Sequence, residues 1–183
     1  MNKKLIQSIL LMLILTSVSL AQIEYLSFGA YVGFGEIRGN SAPVTSAGTN
    51  LYIDAIPWFS DGTISIRAGF LYAQKLEKFL PENRTGRDYP FIKTYSIKGI
   101  LKQLFSKTIY LEEGVGIILL NDRTFSDVNS WQTGVSFNAL AGIDLRDINS
   151  AGFSLGIGLD YGITFTGTTA GYYMIYGQVQ YFP

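Results

Sequence analysis

The stretch Phe153-Ser-Leu-Gly-Ile-Gly-Leu-Asp-Tyr-Gly-Ile-Thr-Phe165 decides how this chain is read, because large apolar residues alternate with small or polar ones along its whole length. Successive side chains of an extended strand point to opposite faces. Phe153, Leu155, Ile157, Leu159, Tyr161, Ile163 and Phe165 therefore share one face, and Ser154, Gly156, Gly158, Asp160, Gly162 and Thr164 the other. A soluble sheet buries its apolar face and wets the polar one. A barrel that crosses a membrane by strands does the reverse, with the apolar face toward lipid and the small polar face inward.

The same rhythm recurs in eight segments, near residues 24–35, 50–59, 63–74, 91–102, 108–120, 134–145, 152–165 and 172–182. In the first, Leu26, Phe28, Ala30, Val32 and Phe34 read as outward, and Ser27, Gly29, Tyr31, Gly33 and Gly35 as inward. The predicted links alternate in length. Long ones at 36–49, 75–90 and 121–133 are separated by short ones at 60–62, 103–107 and 146–151, and a moderate one follows at 166–171. Short turns on one side and longer loops on the other are what an up-and-down membrane barrel requires.

The first 21 residues read as a secretory signal. Lys3 and Lys4 supply the charged start, Leu5 to Leu15 the apolar core, and Ser19-Leu-Ala21 the small-residue cleavage site. The mature domain is then expected to be 22–183, beginning at Gln22. The apolar run is too short for a spanning helix, which needs about 20 residues, and no later stretch is long and apolar enough. Membrane insertion must then be by strands.

Composition removes several functions. The chain holds no cysteine, so disulfides, thiolate metal sites, a thiol nucleophile and a lipidated cysteine are excluded. It holds no histidine, the commonest general base and nitrogen ligand for transition metals. Its 14 basic and 14 acidic residues balance, and loss of Lys3 and Lys4 leaves 12 against 14, which gives no electrostatic case for nucleic acid. Gly33-Phe-Gly35 and Gly156-Ile-Gly158 are strand glycines outside any βαβ unit, so neither makes a nucleotide-binding loop. Glu112 and Glu113 point to opposite faces and cannot act as a facing carboxylate pair. No cofactor and no catalytic residue is expected.

Taken together, the strand count, the segment Tyr110-Leu-Glu-Glu-Gly-Val-Gly116 and the terminal Tyr176-Gly-Gln-Val-Gln-Tyr-Phe182 make the mature chain resemble the small eight-stranded outer-membrane barrels, the OmpA-like, OmpX-like and porin-like domains. The resemblance implies an all-β, eight-stranded, antiparallel up-and-down transmembrane barrel in the outer membrane of a Gram-negative-type bacterium. It implies that Tyr176, Gly177, Val179, Tyr181 and Phe182 form the signal read by the barrel assembly machinery. It also implies a monomer whose partners are outer-membrane lipid and, as a candidate, lipopolysaccharide. Hydrolases and acyltransferases of similar architecture generally need a histidine, so a non-enzymatic role in envelope structure and surface-loop contact is expected. The alternatives are a narrow channel for small or hydrophobic molecules, and a secreted lipocalin-like barrel with its apolar faces inside.

Parity places Asp54, Arg67, Lys98, Glu112, Asp144 and Asp160 on inward faces. Reflection about a turn near Asp61 sets Asp54 opposite Arg67, and reflection about Phe105 sets Lys98 opposite Glu112. These four are expected to form a polar plug, since eight strands enclose only enough space for side chains to fill. The inward glycines either make room for long side chains, the favoured reading, or leave a narrow wet cavity. Glu113 breaks an apolar row, which calls for a bulge or a place near the membrane edge. Aromatics near strand ends, Phe34, Phe59, Tyr72, Phe105, Tyr110, Trp131, Phe153 and Phe165, are candidates for interfacial girdles. The loop Lys75 to Pro90 mixes both charges around Phe79 and Leu80. Its Asn83-Arg-Thr85 triplet matches a glycosylation pattern that is frequent by chance.

Overall fold

The computed structural model describes residues 23–80, 89–147 and 150–183. The signal segment and the Asn83–Thr85 triplet lie outside the described residues. Eight strands follow in chain order: β1 (Ile23–Arg38), β2 (Val44–Pro57), β3 (Ile64–Lys75), β4 (Phe91–Leu104), β5 (Ile109–Arg123), β6 (Ser130–Asp144), β7 (Gly152–Thr164) and β8 (Gly171–Phe182). Each pairs antiparallel with the next, and β1 closes on β8. Closure leaves no sheet edge, which hydrocarbon demands because it offers no hydrogen bonds to unpaired backbone groups.

The cross-strand partners run Ser27, Asp54, Arg67, Lys98, Gly116, Ser136, Gly162 and Tyr172, and return to β1 at Ile37, ten residues above the start. With a rise of about 3.3 Å per residue and a strand spacing of about 4.8 Å, that stagger tilts the strands by about 40°. The lumen is accordingly narrow, and side chains must fill it.

Alternation sorts the two faces. Leu51, Ile117 and Ile157 are 65, 62 and 71 % exposed on the outside, while Ser27, Ser136 and Ser154 are fully buried inside. This orientation overturns the lipocalin-like alternative. In water, the outer wall would be a continuous apolar surface far beyond what a soluble monomer exposes.

Strands extend further than the pattern suggested, and this corrects the loop lengths. The links at 36–49 and 121–133 shrink to 39–43 and 124–129, because Glu36 to Arg38, Val44 to Thr49, Asn121 to Arg123 and Ser130 to Thr133 all stay in the ladder. Polar residues at strand tops blur the apolar rhythm while the backbone pairing continues. Residues 76–90 remain the long connection, opening with a short 3₁₀ turn at Leu76–Phe79. The turns at 58–63 and 105–108, with the ends of β6 at Asp144 and β7 at Gly152, define the opposite end.

Among the girdle candidates, Phe34, Phe59, Phe105, Trp131, Phe153 and Phe165 are exposed on the outer wall or at its rims. Tyr110 is not one of them. It is fully buried in the lumen, where its hydroxyl meets Ser154. Glu113 needs no bulge: both ladders of β5 run unbroken past it, and it faces outward between Leu101 and Ala139. The only irregularity within the pairings of β1 and β2 is the shift between Ile23 and Tyr25.

Close backbone approach dictates several inward glycines, Gly116 among them. A Cβ at Gly116 would strike the carbonyl of Ile97 and the backbone of Lys98 on β4, whereas a Cβ at Gly177, on the outer wall, meets nothing. Gly116→Val should therefore cost about 1–3 kcal/mol in reversible urea unfolding from micelles, and Gly177→Val should unfold like the parent.

Candidate functional site: the charged interior

The lumen is layered from the turn end to the loop end. In the lower layer the Arg67 guanidinium is gripped from both sides. Its Nε and Nη2 donate to the two Asp54 oxygens at 2.7 Å each, and its Nη1 and Nη2 donate to Glu112 at 2.6 and 3.1 Å. The planar fork matches both carboxylates bidentately, the strongest geometry available to an arginine. The cation also lies over the Tyr52 ring, 4.0 Å from its centroid. Gln180 donates to Asp54 at 2.9 Å and to Ser27 at 2.8 Å, tying β8 to β1 and β2.

Above it, Lys98 Nζ donates to Asp160 at 2.8 Å across the lumen, and the Tyr31 hydroxyl donates to the other oxygen of Asp160 at 2.6 Å. Tyr31 stacks on Tyr176 with centroids 4.1 Å apart. Glycines make room for these rings: a Cβ at Gly29 would enter the Tyr52 ring, and one at Gly162 the Tyr172 ring.

A third cluster guards the turn end. Asp144 accepts from Lys102 Nζ at 3.1 Å and from Arg146 Nε and Nη2 at 2.8 and 2.7 Å. Lys102 sits over Tyr110 and Arg146 over Phe182, 4.1 and 3.5 Å from the ring centroids. Burial works against the charge on Arg146, but its hydrogen bonds to Asp144 and that carboxylate's charge outweigh burial and raise the guanidinium pKa above its ordinary value. Between this cluster and the Arg67 layer lies a cavity of about 90 Å³, opening into a vestibule of about 560 Å³ at the turn end.

The six inward charges read from the sequence thus all lie in the lumen, but not all in the expected pairs. Asp54 does face Arg67. Lys98 does not face Glu112. Strand β4 continues to Leu104 and pairs there with Tyr110, so the turn centres on Lys107 rather than Phe105; Lys98 falls opposite Gly116 and Glu112 opposite Lys102. Glu112 joins Arg67, Lys98 joins Asp160, and Asp144 joins Lys102 and Arg146. Lys102 shares the inward parity of Lys98 and was legible on that ground. Arg146, beyond the strand end, was not.

Toward the loop end the lumen turns apolar. Ile37, Leu71, Ile92, Ile118, Leu120 and Met174 are all at most 2 % exposed and close it. Above them sits Asp122, a fully buried carboxylate that sequence parity passed over. It accepts from the Asn40 amide at 3.1 Å, the Thr124 amide and hydroxyl at 2.9 and 2.7 Å, and the Thr168 hydroxyl at 2.6 Å. One side chain thereby holds the 39–43, 124–129 and 165–170 loops together. In β8, Tyr176 and Phe182 point inward, while Gly177, Val179 and Tyr181 lie on the outer wall.

No family model and no curated protein matches the chain. Solved structures do. The neisserial surface protein A aligns with a TM-score of 0.55 at 10 % identity, covering 85 % of this chain and 96 % of that one. The attachment invasion locus protein Ail of Yersinia pestis, in complex with the heparin analogue sucrose octasulfate, aligns at 0.54 with 9 % identity, covering 86 and 97 %. The chain has the fold of the small eight-stranded outer-membrane β-barrels.

Double-mutant cycles in refolded protein should follow the observed pairs. Arg67/Glu112 and Lys98/Asp160 should each couple by about 1–3 kcal/mol, and Lys98/Glu112 by less than about 0.5 kcal/mol. Asp122→Ala should cost about 1–3 kcal/mol by stranding its donors and should speed protease cleavage within 39–43 and 165–170.

Proposed function

We propose that this protein is a non-enzymatic, non-conducting barrel of the bacterial outer membrane that serves envelope structure and presents its loop end for surface contact. One observation carries the reading: the lumen is blocked by the Arg67 layer and again by the apolar layer at Leu71, Ile92 and Met174. The turn-end vestibule leads only to the first of these. A solute would have to break bonds among buried charges and then cross an apolar plug, so transport requires rebuilding the interior.

In this reading, residues 1–21 direct export, and the barrel assembly machinery reads Tyr176, Gly177, Val179, Tyr181 and Phe182 at the end of β8. The Asp122 network gives three loops a fixed arrangement, and exposed loops on a rigid scaffold are suited to recognition. Phe79 and Leu80 stand exposed at the start of the long loop, next to charges of both signs. Lipopolysaccharide and surface ligands are the partners such a rim suits.

Planar-bilayer recordings of the refolded mature chain should show no reproducible conductance, and its gel mobility should shift on boiling in SDS. Steady current steps that change with Lys98 or Asp160 substitution would overturn this reading in favour of a channel.

A further inference from the structure

Three basic residues of the strands face outward and take no part in the interior chemistry: Arg38 and, side by side, Lys93 and Arg123. Lys93 and Arg123 occupy adjacent strands: Phe91 faces Arg123, and Lys93 faces Asn121. Alternation puts Phe91, Lys93 and Arg123 on the outward face, with the two basic residues diagonal neighbours about 7–8 Å apart at the backbone. Both turn toward one ring. Lys93 Nζ lies 5.5 Å and Arg123 Cζ 5.8 Å from the Phe91 centroid, and Arg123 also hydrogen-bonds the Tyr89 hydroxyl.

These cations differ from the others described. Arg67, Lys98, Lys102 and Arg146 each have a carboxylate inside the lumen, and Lys75 has Glu77 at the rim. Among the described residues no carboxylate pairs with Lys93 or Arg123, and the buried Nε of Arg123 has no acceptor. Two like charges held this close repel, more strongly as water thins at a membrane rim. Simple snorkelling would send both chains up into water. Here they lean on an aromatic floor instead, where Tyr72 packs against Phe91 and, lower down, Tyr95 stacks on Trp131. Below the cations the wall is apolar, with Tyr95, Ile97, Ile117 and Leu119 all exposed.

We propose that Lys93 and Arg123, sharing the Phe91 ring, form a binding site for the phosphate of a membrane lipid in the loop-side leaflet. The ammonium and the guanidinium fork suit a phosphate's several acceptor oxygens, and the apolar strip below them suits its acyl chains. A free anion would gain nothing from that strip. The proposal rests on the reading above that this wall faces lipid, and it adds the class of lipid recognised.

The test is native mass spectrometry of the refolded mature chain in neutral detergent, with equal amounts of dioleoyl phosphatidic acid and dioleoyl phosphatidylcholine. The parent should retain phosphatidic acid preferentially. Lys93→Gln with Arg123→Gln should weaken that retention roughly tenfold or more, and Lys93→Arg should keep it. In a Trp58→Phe background, Trp131 fluorescence should respond to phosphatidic acid and not to sodium phosphate. Equal retention of the two lipids by the parent overturns the site whether or not any variant folds, as does undiminished retention by the double variant. An equal Trp131 response to sodium phosphate overturns the lipid as ligand. Boiling-dependent gel mobility, run on every sample, reports separately on the barrel.

Discussion

The stagger with which β1 closes on β8 is the constraint from which the rest of this structure follows. Ten residues of displacement around eight strands fix both tilt and bore. A bore that small holds no continuous water column once side chains enter it, so every inward residue has to be matched to its neighbours. The outer wall is under no such demand. Away from its rims it needs only to be apolar, and there it is built mainly from interchangeable leucine, isoleucine, valine and aromatic residues.

Charge balance is the second consequence. Asp54, Arg67 and Glu112 carry one net negative charge, Lys98 and Asp160 cancel, and Lys102, Asp144 and Arg146 carry one net positive charge. These three clusters, Asp122 aside, are neutral as a set, though the two lower ones are not neutral singly. Lys102, opposite Glu112 in the ladder, stands between them. Low polarity makes such groups costly alone and cohesive together. The tyrosines have an intermediate role. Tyr52 presents its ring face to the Arg67 cation, while Tyr31 stacks on Tyr176, gives its hydroxyl to Asp160 and belongs to the apolar cluster, so it joins a charged layer to the apolar one.

Much of the fold was legible because strand periodicity is exact. One face is lipid and the other is lumen, so Gly156, Gly158 and Asp160 announce themselves against Leu155, Ile157 and Leu159. Inward parity placed six charged residues in the lumen, while Lys102 and Asp122, of the same parity, were not among them. Pairing was less legible, because register depends on where a turn centres, and the chain around Leu104 to Thr108 carries no sharp turn signal. A two-residue error there moved Lys98 from Gly116 to Glu112. Contacts between strands remote in sequence, Lys98 with Asp160 across the lumen and Gln180 with Ser27 at the β1–β8 seam, follow from closure rather than from any local pattern. Asp122 escaped notice for another reason: the apolar rhythm fades at strand tops, although the ladder does not.

The Arg67 clasp has a bearing on how such a barrel can change over generations. Asp54 and Glu112 grip one guanidinium from strands on either side of it, at distances that leave no slack. Inserting or deleting a hairpin would alter the bore and part the clasp, stranding charges in a medium that does not tolerate them. Strand number in this protein is thus held by its ionic core, and descent with altered strand number would first have to pass through a lineage that had replaced these residues with neutral ones.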